Sequence, residues 1–106
     1  MTLDEFRDKL LTVDPKVKPW KGVGGDSYTV YSPYKKITAE ADDSETEVGW
    51  KVQIDVFSKN PKDSKVSQIE SLLEDEDDIA IEPLEVDYEE DTGYFHFIWD
   101  CEVAYG

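Results

Sequence analysis

Cysteine and histidine are almost missing from this chain, with one of each, Cys101 and His96, among 106 residues. A lone thiol closes no intrachain disulfide, and one His with one Cys cannot assemble a zinc site. Disulfide-stapled scaffolds and zinc modules are therefore excluded. Long hydrophobic runs are missing as well. No apolar stretch exceeds a few residues, far short of the roughly 20 that cross a bilayer, and Asp4 and Glu5 stand where a secretory leader would be basic. The expectation is a soluble, unprocessed chain with no membrane partner. Positive charge is scarce: 11 Lys and Arg face 26 Asp and Glu, a net −15. Unassisted nucleic-acid binding is not expected, because a polyanion gains affinity when protein cations replace its counterions.

What is present is enough for one core. Hydrophobic residues make up 39% of the chain, with 3 Trp, 6 Tyr and 4 Phe, too many large apolar groups for a disordered polymer. The length fits a single domain over 1–106. The acidity is uneven. Residues 1–40 hold 7 bases and 6 acids, whereas residues 41–106 hold 4 bases and 20 acids. Such a field either keeps a small protein soluble or repels or imitates DNA.

Periodicity places the elements. Thr2 and Glu5 have capping-box spacing, and Leu3, Phe6, Leu10 and Leu11 share a helical face, predicting a helix over Leu3 to Thr12. Asp14-Pro15 stops it. The glycine-rich stretch from Lys16 to Asp26 reads as a loop, and no Gly-Lys-Ser/Thr follows to make it a phosphate cradle. Tyr28 to Tyr31 and Tyr34 to Ala41 read as two short strands about a turn at Ser32-Pro33. Asp42 to Glu47 reads as an acidic loop. Trp50, Val52, Ile54 and Val56 alternate with polar residues as a half-buried strand. Asn60-Pro61 is a helix-start signal ahead of Val66, Ile69, Leu72 and Leu73, predicting a helix over Pro61 to Leu73. Ile79 to Tyr88 reads as one strand with Pro83 inside it, at an edge or a bulge, then a hairpin loop at Glu89 to Gly93. Phe95, Phe97, Trp99, Cys101, Val103 and Tyr105 form one face of a long last strand. The predicted fold is α+β, two helices packed on one face of an antiparallel or mixed sheet of about five strands. Its predicted core is Trp50, Ile54, Val56, Ile69, Leu72, Phe97 and Trp99.

No reaction emerges from these residues. His96 shares its strand face with Asp100 and Glu102, but four residues of strand put Asp100 about 13 Å away, so a surface or interface role is expected. Cys101 falls on the core face, as a small hydrophobe would. The acids Asp42, Asp43, Glu45 and Glu47 and the run Glu74, Asp75, Glu76, Asp77 and Asp78 lack the Gly and Glu positions of an EF-hand loop. They read as a solvated, DNA-repelling surface, without metal or cofactor. Trp20, Tyr31 and Tyr34, beside the glycine loop, exceed what short strands need for their own packing and are candidate subunit or partner contacts.

The segment GWKVQIDVF at 49–57, followed by a helix and then by YEEDTGYFHFIWDCEV at 88–103, resembles the tail-terminator or tail-completion proteins of long-tailed bacteriophages. That group has a W-x-V-Q-I-D-V-[FW] strand before a helix and a final hairpin carrying Tyr-x-x-Asp-Thr-Gly-Tyr-[FY]-His. The stretch from Tyr31-x-x-Tyr34 to Ala41-Asp42-Asp43 is similar to the group's preceding hairpin, so residues 28–103 take part; the glycine loop has no place in the pattern. The resemblance implies a non-enzymatic virion protein. It implies a ring, often hexameric, on the head-proximal end of the tail tube, where the ring meets tail-tube and head-connector proteins and its acidity keeps a DNA conduit from binding its cargo. The alternative is an acidic DNA-mimic inhibitor of a nucleic-acid-binding enzyme, which accounts for the charge equally well.

Overall fold

The computed structural model describes residues 1–41 and 44–105. Its elements run α1 (Leu3–Leu11), β1 (Lys18–Pro19), β2 (Ser27–Ala41), β3 (Ser44–Ser58), α2 (Ser64–Glu74), β4 (Ile79–Ile81), β5 (Glu85–Glu89) and β6 (Tyr94–Ala104). The six strands form one mixed sheet in the order β1-β2-β3-β6, with β4 and β5 both pairing along the far side of β6. Only the β1–β2 pair is parallel. The α+β class holds, with six strands against about five expected. Strand β1 forms inside the stretch 16–26 read as a loop and pairs with β2, the two short strands expected at 28–31 and 34–41 are one, and Pro83 divides the predicted 79–88 strand into β4 and β5. Proline has no N–H for a ladder, so the strand expected to carry it at an edge or bulge is broken there instead.

The helix α1 starts on the capping box its spacing predicts: the Glu5 amide donates to Thr2 Oγ1 at 3.1 Å and the Thr2 amide donates to Glu5 Oε1 at 3.0 Å. Asp4 and Glu5 near its start and Lys9 near its end suit the helix dipole. Its buried residues are Phe6 and Leu10, and those of α2 are Ile69 and Leu73. Both sets join Val52, Ile54 and Val56 of β3 and Phe97, Trp99, Cys101 and Val103 of β6 in one contiguous core. The register pairs Ile54 with Trp99 and Val56 with Phe97, so the alternating apolar residues of the two central strands face the helices together. Ile54, Val56, Ile69 and Trp99 are fully buried. Trp50 and Leu72, also expected in the core, pack at its margin.

Three boundaries differ from expectation. First, β2 runs unbroken through Ser32-Pro33, with register shifts between Pro33 and Lys35 and between Ile37 and Thr38. A bulge near the sheet edge accommodates the proline that reads locally as a turn. Second, Glu45 and Glu47 lie in β3 rather than in a loop. Third, α2 is capped by Asp63, whose side chain accepts from the Lys65 amide. Asn60 instead accepts from the Lys62 amide and forms the turn before the helix.

The hairpin of β2 and β3 is longer than the rest of the sheet. Pairing with β6 stops at Gly49–Ala104, while β2 and β3 continue to pair out to Ala41–Ser44. Their distal ends therefore form a two-stranded arm, and the molecule measures 51 × 26 × 23 Å. At the root of the arm a Cβ on Gly49 would lie 2.4 Å from the Val103 carbonyl oxygen, so only glycine lets β6 come this close.

A buried polar network ties the loop after α1 to α2. Lys65 Nζ lies 2.8 Å from Asp14 Oδ2, an atom that also accepts from the Thr29 hydroxyl at 2.8 Å. Lys65 donates in addition to Ser27 Oγ, and the hydroxyls of Ser27 and Ser58 both donate to Asp63 Oδ2. These contacts join the starts of β2 and α2 to the end of β3.

Candidate interaction surfaces

The helices cover one face of the sheet; the other carries a row of rings. Alternation along β2, β3 and β6 directs Tyr28, Phe57 and His96 to this open face, and the register sets Tyr28 opposite Phe57 and Phe57 opposite His96. Tyr28 stacks on Phe57 with centroids 5.0 Å apart, and Phe57 stacks on His96 at 4.1 Å. Tyr94 meets Tyr28 and Phe57 edge-on, its hydroxyl donates to the Gly25 carbonyl, and Lys59 Nζ sits 4.0 Å above its ring. The ring of His96 is held at Nε2, 2.6 Å from Asp55 Oδ1, while Glu89 Oε2 lies 3.7 Å from Nδ1, beyond hydrogen-bond distance.

Sequence reasoning looked for a partner of His96 along its own strand and missed Asp55, which lies one strand away and diagonally opposite. The alternation that put Asp55 among the polar positions of β3 was the available signal; the register that brings it to His96 was not. Asp100, the in-strand candidate, instead accepts from the Tyr34 hydroxyl at 2.9 Å. Asp55 and the stacked Phe57 ring hold the imidazole between β3 and β6.

The three aromatic contact candidates part company. Trp20 is 62% exposed, follows β1 with a positive φ of 67°, and donates its amide to the Tyr31 carbonyl. Tyr34 is half exposed at the β2 bulge and lines a shallow groove of about 410 Å³ with Lys51, Ile81, Glu82 and Glu102. Tyr31 corrects the expectation: it points to the helix side, is buried, and meets Phe6 edge-on at 6.2 Å. The unbroken β2 makes the difference, because Tyr31 then pairs with Ile54 and shares its core face.

The two acidic segments, distant in sequence, meet at one end of the sheet. Glu47 and Asp78 line a common groove with Val48, Ala104 and Tyr105. Glu47 accepts from the Trp50 indole at 2.6 Å and from the Tyr105 hydroxyl, and these bonds hold its carboxyl below the ordinary range. Asp78 accepts from the Met1 amino group at 3.0 Å, and Glu76 pairs with Lys9 at 2.5 Å. Glu45, Glu74, Asp75 and Asp77 are exposed. Asp42 and Asp43 lie outside the described residues.

Among the described residues, no cluster of His, Cys, Asp and Glu has a metal-binding arrangement, and no helix is long and apolar enough to cross a membrane. No protein-family model matches the chain, and no curated protein matches it.

Proposed function

We propose that this chain is a structural, non-enzymatic subunit of a tail-terminator or tail-completion ring, capping the tail tube of a long-tailed bacteriophage and joining it to the head connector. The proposal starts from the resemblance at 49–57 and 88–103. These two segments pair side by side as β3 and β6, the centre of the sheet, and so form one folded unit. The observation that supports a place on a DNA path is the concentration of acid in residues 41–106, with Glu47 and Asp78, one from each acidic segment, lining a common groove. A conduit for double-stranded DNA should not bind it, and clustered carboxylates repel phosphate.

The test is genetic and chemical. A deletion in the parent phage should give full heads and unjoined or overlong tails. Neutralising the exposed acids by Glu45→Gln, Glu74→Gln, Asp75→Asn and Asp77→Asn should keep the fold and the assembly and impair DNA passage alone. The alternative, an acidic DNA mimic, predicts intact virions that fail only on restricting hosts. It also predicts a complex with a basic enzyme that weakens steeply with salt, as contacts screened within a Debye length of about 8 Å do.

A further inference from the structure

The two edges of the sheet carry opposite charge. Along β1 and the adjoining part of β2, exposed Lys16, Lys18, Lys21 and Lys35 stand against a single acid, Asp26. At the opposite edge, residues 82–91 of β5 and its flanks hold Glu82, Glu85, Asp87, Glu89, Glu90 and Asp91 and no base. In a chain of net −15, this basic edge is a local reversal of the overall field.

The edges also match in height and in apolar content. The register runs in one row from Lys18 through Val30, Asp55 and Ile98 to Glu85, so the lysine and the carboxylate mark the two ends of a single row. Each edge exposes large hydrophobic side chains that the fold leaves uncovered, Trp20 and Val23 on the basic side and Val86 and Tyr88 on the acidic side, all at least half exposed. The outer sides of β1 and β5 carry no strand partner among the described residues; β1 is only Lys18–Pro19, too short and proline-bearing for a ladder, so side-chain charge carries the match. The strand directions make a β5 laid beside β1 antiparallel, the commoner pairing.

We infer that the occupant of each edge is a second copy of this chain, with the acidic β5 edge of one subunit docked head to tail on the basic β1 edge of the next. In that antiparallel register Lys18 meets Glu85, Lys16 meets Asp87 and Lys21 meets Glu82. Such a contact is heterologous: it leaves a free edge at each end and closes only when the rotation per step completes a ring. This deepens the ring proposed above by naming its interface, and it rests on that reading for its biological setting, though the charge pattern stands alone.

The test compares self-association of the intact chain, by sedimentation velocity over a concentration series at physiological salt, with two charge reversals. Glu85→Lys with Asp87→Lys sets lysines opposite Lys18 and Lys16; Lys16→Glu with Lys18→Glu sets acids opposite Asp87 and Glu85. Wild type should associate with increasing concentration. Each reversal alone should weaken association by more than about tenfold, because like charges are then juxtaposed, while circular dichroism stays native. An equimolar mixture of the two should associate again. A wild type that stays monomeric at its solubility limit, reversals that associate as wild type does, or a mixture that fails to associate would each overturn the interface. Association that follows charge in this way, beside normal tails in a deletion phage, would leave the interface standing and remove the tail reading.

Discussion

Lys65 and Asp14 form a buried ion pair, Nζ to Oδ2 at 2.8 Å, with side chains 14% and 4% exposed. The lysine sits in the first turn of α2 and the aspartate in the loop after α1, so one contact ties the end of α1 to the start of α2 and, through Thr29, to β2. Removing one partner leaves the other charge unpaired in the interior. Lys65→Met should therefore destabilise by about 3–5 kcal/mol, read as a fall in the urea midpoint at constant slope. A loss below about 1 kcal/mol, the worth of a surface pair, would mean that water reaches the site.

The same network gives the stability a pH dependence with a definite sign. Burial pushes the Asp14 carboxyl up, but bonds from Lys65, the Lys16 amide and Thr29 outweigh it and hold the group below its ordinary value. Asp63 is likewise raised by burial and lowered further by Ser27, the Lys65 amide and Ser58. A carboxyl depressed on folding contributes stability above its unfolded pKa and loses that contribution as pH falls through its folded pKa. These two groups should thus add nothing to the pH slope above about pH 5 and a progressive loss below about pH 4. Protonation of the many surface acids relieves repulsion and acts in the opposite direction. The measurement is therefore the difference in denaturant midpoint between wild type and an Asp14→Asn, Asp63→Asn variant from pH 7 to 2.5. That difference should shrink on acidification; a constant difference would refute the linkage.

Gly49 sets how closely β6 approaches the arm. A methyl group there meets the Val103 carbonyl oxygen and the Ala104 Cα, both backbone atoms that move only with the strand. Gly49→Ala should cost about 1–3 kcal/mol, as overpacking does, and should accelerate hydrogen exchange at the β6 end of the ladder more than at Phe97. Equal protection in the two proteins would show that the strand end absorbs the methyl freely.

Cys101 is buried on the core face of β6, and burial, with the nearby Asp100 charge, pushes its thiol up to about 12. The thiolate is the reacting species, so a disulfide reagent at pH 8 should label native protein slowly and urea-unfolded protein at once. Fast native labelling would place the thiol outside the core.

Local chemistry was legible and non-local geometry was not. The capping box at Thr2 and Glu5 and the alternation from Trp50 to Val56 each depend on residues a few positions apart, and each appears as read; Pro83, read as an edge or bulge position inside one strand, lies between two. Pro33 misled because a turn and an edge bulge use the same residue; only the partner strand tells them apart. Asn60 misled because its cap-like chemistry closes the turn before α2, leaving Asp63 to cap the helix. Tyr31 followed from the Pro33 error, since a break at Ser32-Pro33 left its facing undetermined. On the open face, Asp55 and His96 meet through a register spanning 41 residues. Asp14 and Lys65 are farther apart still, and nothing local marks either pair.

The position of β6 governs how the chain can fold. It follows every strand it pairs with, yet it lies between β3 on one side and β4 and β5 on the other. Strands β2 and β3 are close neighbours in sequence and can pair early, within microseconds by the usual scale for hairpins. Insertion of β6 must wait for contacts spread over half the chain, which makes it the slow step. Until then the inner edge of β3, bearing Val52, Ile54 and Val56, is an open template for strands of other chains. A nascent or refolding chain is therefore most prone to aggregate before Tyr94 to Ala104 has docked, and slow dilution or low temperature during refolding should raise the yield of native protein.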